Sequence, residues 1–259
     1  MPEVMTAPSF APEYKSPYAP TGDYTLDKEG YLIGDGEPMA ESEEHQDAIT
    51  YAIFALKTHF AGKTDVYVAG NNFVHYEAGD RFRHVSPDCY VVFGVDNTRV
   101  RRNFKIWQEG ATPSVVFEFT SRETQYTDAT TKFTLYEQTL KVAEYYRFDP
   151  HGEYMRPRLK GAILTPNGYE PMVLDNRNRL YSPALGLFMG GEETRFRFYD
   201  PLSGEPFLSP REEQFRADKA EEALNESERQ LKEERKRAQI AEAEIAQLRA
   251  EIDALRKKD

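Results

Sequence analysis

Val115-Val116-Phe117-Glu118-Phe119-Thr120 places one acid inside an otherwise apolar, strand-forming run. A lone carboxylate there costs several kcal/mol to bury, or takes up a proton, unless it is paired or binds a metal. Strand residues alternate faces. Val116, Glu118 and Thr120 therefore share one face, and Val115, Phe117 and Phe119 the other. Upstream, Ser86-Pro87-Asp88 leads into Cys89-Tyr90-Val91-Val92, where Asp88, Tyr90 and Val92 share a face. If the two strands pair, Asp88 and Glu118 converge. Two carboxylates with a backbone carbonyl and waters suit an octahedral Mg²⁺.

Downstream lie Asp128 and Lys132, one helical turn apart and so on one helix face. Lys132 adjoins the apolar stripe of Phe133, Tyr136 and Leu140. An ammonium at that border could orient a water or stabilise developing charge. Plainer roles exist: Asp128 as an acid favouring a helix N-terminus, Asp128 with Lys132 as a surface pair, Glu118 paired with Arg122 or Lys132. Glu44, in the first predicted helix, is a further candidate carboxylate.

Around these pieces the pattern alternates sheet and helix. Residues 24–39 read as a strand pair turning at Gly34-Asp35-Gly36. Ile49, Ile53, Leu56 and Phe60 recur at helical steps over 41–60. Strands are expected at 66–69, 73–76, 89–93, 115–120, 144–148, 159–164 and 195–199. A second helix is expected over 127–140. This predicts an α/β (α+β) domain over residues 24–210, preceded by a loose Pro-rich arm over 1–23.

From Arg211 the composition changes: residues 211–259 lack Gly and Pro. Leu224, Leu231, Ala238, Ile245 and Ile252 recur every seven residues, with Ala241, Leu248 and Leu255 in the complementary position. That predicts a coiled-coil tail and a homo-oligomer, against a single solvated helix held by Glu/Lys pairs.

Bulk composition bounds the rest. Hydrophobic residues make up 39%, enough for a core, and the net charge is −11. That charge disfavours nonspecific nucleic-acid binding by the whole molecule. Arg99, Arg101, Arg102 and Lys105 beside Trp107 form one basic cluster, either tracking a phosphate backbone or standing in a solvated loop. Cys89 is the single cysteine and reads as a core thiol. With no intrachain disulfide possible and no long apolar run, a cytoplasmic protein without a membrane segment is expected. His45, His59, His75, His84 and His151 show no metal-ligand spacing; His45, beside Glu44, could lie near the site but reads first as a surface helix histidine. No phosphate-cradling glycine loop or nucleophile elbow occurs.

Taken together, Pro87-Asp88, Pro113 to Ser121 with Thr124, Asp128-x-x-x-Lys132 with Tyr136, and Val142 to Pro150 resemble the Uma-type restriction endonuclease family of the PD-(D/E)XK nucleases. Gly168-Tyr169, Leu185-Gly186-Leu187 and Tyr199 to Glu205 extend the likeness, which covers roughly residues 24–210. The resemblance implies a restriction-endonuclease-like mixed sheet flanked by helices, and Mg²⁺- or Mn²⁺-dependent cleavage of nucleic acid, DNA foremost. It implies Asp88 and Glu118 as metal-binding acids, Glu44 as an acid from the first helix, and Lys132 as the catalytic lysine. The family pattern puts lysine two residues after the glutamate, where this chain has Thr120. Lys132 resembles a lysine relocated to the following helix. The rival expectation is a catalytically silent nuclease-fold scaffold acting through its coiled coil.

Overall fold

The structure, a computed structural model, describes residues 25–34, 42–192 and 195–256. The expected arm over 1–23 lies outside them. Along the chain run β1 (Thr25–Leu26), β2 (Leu32–Gly34), α1 (Glu43–His59), β3 (Val66–Ala69), β4 (Val74–His75), β5 (His84–Val85), β6 (Cys89–Phe93) and β7 (Phe104–Lys105). Next come α2 (Ile106–Glu109), β8 (Val115–Phe119), α3 (Gln125–Ala129), α4 (Thr131–Thr134) and a π turn (Leu135–Thr139). The remainder is β9 (Glu144–Phe148), β10 (Leu159–Thr165), β11 (Gly168–Pro171), β12 (Arg179–Ser182), β13 (Leu187–Glu192), β14 (Arg195–Tyr199) and α5 (Pro210–Arg256). The fold is mixed α+β with a long C-terminal helix.

Six strands form the central sheet in the order β11-β10-β9-β8-β6-β3. Only β8 and β9 run parallel in it, joined by the segment that carries α3, α4 and the π turn. Such a pair needs a crossover connection. One face of the sheet packs Phe117, Phe119 and Tyr146 against Ala52 and Leu56 of α1 and against Phe196 and Phe198 of β14. The other packs Tyr90, Val116 and Tyr145 against Leu135 and Tyr136. Because both faces are covered, β6 and β8 read as apolar runs, and all five residues of β8 are buried.

Three sequence expectations shift. The β1–β2 hairpin turns at Asp27–Tyr31, not at Gly34-Asp35-Gly36, of which residues 35 and 36 lie outside the described residues. Asp27 Oδ1 accepts from the backbone N–H of Glu29 and Tyr31, an Asx turn that sets the reversal earlier. The helix expected over 127–140 is broken at Thr130 (φ −129°, ψ −74°) and finishes as the π turn. Threonines at 127, 130, 131 and 134 lower helix propensity there. The basic cluster is largely spent internally. Arg101 makes two 2.9 Å bonds to Glu109, over the Tyr67 ring, and Lys105 Nζ lies 2.7 Å from Asp27 and 2.9 Å from Glu29. Those contacts favour the loop reading over a phosphate track.

The chain divides into two compact units, residues 1–207 and 208–259. In the second, α5 is one uninterrupted helix whose Leu224, Leu231, Ile240, Ile245 and Leu248 are about half-exposed or more. No described helix is long and apolar enough to cross a membrane. If the heptad residues pair between chains, deleting residues 211–259 lowers the solution mass to a monomer and leaves the far-UV signal of the body intact. Light scattering and circular dichroism check this, and an unchanged mass rules out pairing through the tail.

Candidate active site

The ladder between β6 and β8 sets Cys89 opposite Phe117 and Tyr90 opposite Val116. Carried one residue further, it sets Asp88 opposite Glu118. The two acids thus meet from adjacent antiparallel strands, as alternation predicted. Asp88 is held at the strand mouth from two sides. Its Oδ2 accepts the Phe119 N–H at 2.7 Å. Its carbonyl oxygen lies where a Cβ on Gly70 would come within 2.0 Å, so residue 70 must lack a side chain for the backbones to approach.

Glu118 is 1% exposed. Its Oε1 accepts from the Tyr136 hydroxyl at 2.6 Å and its Oε2 from Lys132 Nζ at 2.9 Å. Lys132 Nζ also lies 3.1 Å from Asp128 Oδ1. Lys132, rather than Arg122, is therefore the partner of the buried glutamate. The one-turn spacing of Asp128 and Lys132 survives the helix break, because both converge on a single ammonium. Asp128 is itself buried, not a surface acid, and its backbone carbonyl accepts from the Tyr145 hydroxyl at 2.9 Å.

Charge in this pocket is unbalanced. Burial foremost, with the Asp88 and Asp128 charges, outweighs Lys132 and raises the Glu118 carboxyl to about 8. Lys132 is held protonated, well above its ordinary value, by Asp128 first and then Glu118, against its own desolvation. Glu118 and Asp128 thus share one lysine cation, with the Asp88 charge acting on it at longer range.

The first helix contributes a different residue from the one expected. Glu44 is exposed in the first turn of α1, where Ser42 caps the helix and helps hold Glu44 below the usual carboxylate range. Its neighbour His45 is buried instead. His45 Nε2 donates to the Phe119 carbonyl at 2.6 Å and lies 3.6 Å from Asp88 Oδ2. The expectation of a surface histidine is corrected: successive helix residues point about 100° apart, so one of positions 44 and 45 faces the sheet edge, and it is 45. Thr120, where the sequence resemblance would put a lysine, is buried, and its Oγ1 has no hydrogen-bond partner among the described residues. No group of three or more His, Cys, Asp or Glu side chains forms a metal cluster among the described residues. Cys89 is fully buried in the core, and burial pushes its thiol up.

Fold and site together define a mixed α+β protein with a paired-acid and lysine centre at the mouth of two central strands. No family model matches the sequence, and no curated protein does. Among solved structures, the chain is similar to one described as "a putative nuclease belonging to DUF820" from Anabaena variabilis, at 13% identity and a TM-score of 0.42. That likeness covers 62% of this chain and 86% of the other.

Proposed function

We propose that this protein is a metal-dependent endonuclease that hydrolyses phosphodiester bonds of nucleic acid, DNA foremost. The observation that carries the proposal is the register of Asp88 and Glu118 across β6 and β8, with Lys132 bonded to Glu118. A structural ion pair needs no second acid in register.

The residues present fit a divalent cation by their donor chemistry. Asp88 and Glu118 would hold it, with the Phe119 carbonyl beside them. Each carboxylate oxygen has a second lone-pair site beyond the bond it already accepts. A cation would also offset the burial, and with it the neighbouring acid charges, that raise Glu118. When bound, Mg²⁺ or Mn²⁺ supplies Lewis-acid polarisation of the phosphate and a water of lowered pKa. Glu44, exposed in the first turn of α1, is not needed for this set.

The chain's own groups divide the remaining work. Tyr136 and Lys132 fix both oxygens of Glu118. His45 fixes the Phe119 carbonyl, and the Phe119 N–H fixes Asp88. Lys132, anchored by Asp128, keeps its positive charge and is placed to position water or neutralise charge developing on phosphate. Asp88, whose side chain is 17% exposed, is the opening of the centre toward solvent.

The test is cleavage of supercoiled and single-stranded DNA with Mg²⁺ or Mn²⁺. Wild type cuts, and Asp88→Ala and Glu118→Ala each lose at least about a hundredfold, the scale of lost charge stabilisation. In parallel, Mn²⁺ raises the melting midpoint of wild type but not of Asp88→Ala. Cutting that survives both substitutions overturns the site.

One observation favours the second reading, a silent scaffold. Both Glu118 oxygens already have protein partners, as in a self-sufficient buried network. Absence of both cutting and metal-induced stabilisation selects that reading.

A further inference from the structure

The register that brings the two acids together continues across the sheet. Glu118 on β8 lies opposite Arg147 on β9, and Arg147 lies opposite Lys160 on β10. Residues paired across strands share a face. Asp88, Glu118, Arg147 and Lys160 therefore form one transverse row, two acids followed by two bases, each about 5 Å from the next strand. Nothing in the proposed chemistry uses the two bases.

They border a cavity of about 460 Å³, within the usual range of small-ligand sites. Its walls are mainly apolar and aromatic, with Phe133, Tyr145, Tyr169 and Met172 prominent. Phe133 follows Lys132 directly in the chain. The Phe133 and Tyr169 rings are 5.0 Å apart, and Phe133 and Tyr145 6.0 Å. Elsewhere the half-buried or buried cations are matched: Arg101 by Glu109, Lys105 by Asp27, Arg179 by Asp175. The half-buried Arg147 guanidinium and the exposed Lys160 ammonium have no hydrogen bond or ion pair to another described residue. Two unmatched cations at the lip of an aromatic cavity suit a ligand with an anionic end and a flat, apolar end.

Resting on the nuclease reading, we infer that this cavity is a nucleotide subsite of the same row. The phosphate of a nucleotide adjoining the cut bond rests on Arg147 and Lys160, and its base lies against the partly exposed rings of Phe133 and Tyr169. A base inside a duplex is stacked and paired and cannot enter without being extruded. The substrate class is therefore a strand with an unpaired nucleotide beside the cleaved bond: single-stranded segments, loops or frayed ends. Aromatic stacking tolerates any base, so the subsite reads strandedness rather than sequence.

The probe is adenosine 5′-monophosphate, titrated into the full-length protein in EDTA by calorimetry, with ribose 5-phosphate as the comparison. Wild type binds the nucleotide at least tenfold tighter than the sugar phosphate. Arg147→Gln with Lys160→Gln weakens nucleotide binding at least tenfold; both positions lack side-chain partners, so folding is preserved. The same pair lowers kcat/KM on a single-stranded oligonucleotide at least tenfold. Equal binding of the two probes, or nucleotide binding indifferent to the substitutions, overturns the subsite even if the protein cuts DNA. Nucleotide binding lost in the double variant, in a protein that cuts nothing, keeps the subsite and removes the nuclease reading.

Discussion

Lys132→Met lowers the unfolding free energy by about 3–5 kcal/mol at pH 8, the usual cost of removing one partner from a buried ion pair. The ammonium is the shared partner of Glu118 and Asp128, at 2.9 and 3.1 Å. Without it Asp128 keeps no side-chain partner among the described residues, and Glu118 keeps only Tyr136. The loss shrinks as pH falls below about 8, where the raised Glu118 carboxyl takes up a proton. Adding Asp128→Asn and Glu118→Gln recovers part of it at pH 8, since replacing a whole buried network costs less than breaking it. Urea unfolding followed by circular dichroism measures all of this. A loss below about 1 kcal/mol at pH 8 would mean the pair is solvated, as exposed pairs are.

Without added metal, the stability difference between wild type and Glu118→Gln moves with pH in a set direction. The native Glu118 carboxyl is raised to about 8 from an ordinary 4.5. Between those values the native state holds a proton that the unfolded state has released. Stability therefore falls as pH rises across that window and levels off above pH 8. At 1.36 kcal/mol per unit, the full change is on the order of 5 kcal/mol, and the Glu118→Gln variant lacks it. A second group acts with the opposite sign. Burial foremost lowers buried His75 to about 4, so its contribution is lost as pH falls from about 6.5 toward 4. Above about pH 6.5 the His75 contribution no longer changes, and there the two proteins are best compared. Millimolar Mg²⁺ offsets the decline if the acids hold it. A flat difference between pH 6.5 and 8 would place Glu118 among ordinary ionised carboxylates.

What the sequence announced most clearly was this acid, because a carboxylate in an apolar run has to be answered by a partner. Its face followed from alternation, and the convergence with Asp88 needed only that β6 and β8 be neighbours. Lys132 was legible through its spacing from Asp128 and its place beside the Tyr136 stripe. Other features depended on distant contacts. Glu44 and His45 are adjacent, and choosing between them requires the rotation of α1 against the sheet edge. Strand β4 falls inside the expected 73–76, but β5 and β7 have two residues each, too few for a pattern to emerge. The turn at Asp27 was set by one side chain bonding its own backbone. Arg147 and Lys160 are aligned with Glu118 only by two strand ladders, which no local pattern reveals.

The parallel pairing of β8 with β9 also orders events during folding. Val115 meets Glu144 only after the intervening crossover has wrapped over the sheet. The crossover carries Asp128, Lys132 and Tyr136, so Glu118 cannot be neutralised before the wrap is complete. Closing such a loop is an entropic cost met before its contacts form. The antiparallel β6–β8 pair can therefore form first with Glu118 still hydrated. Drying of the acid, and with it completion of the centre, waits on the crossover rather than on the β6–β8 pairing.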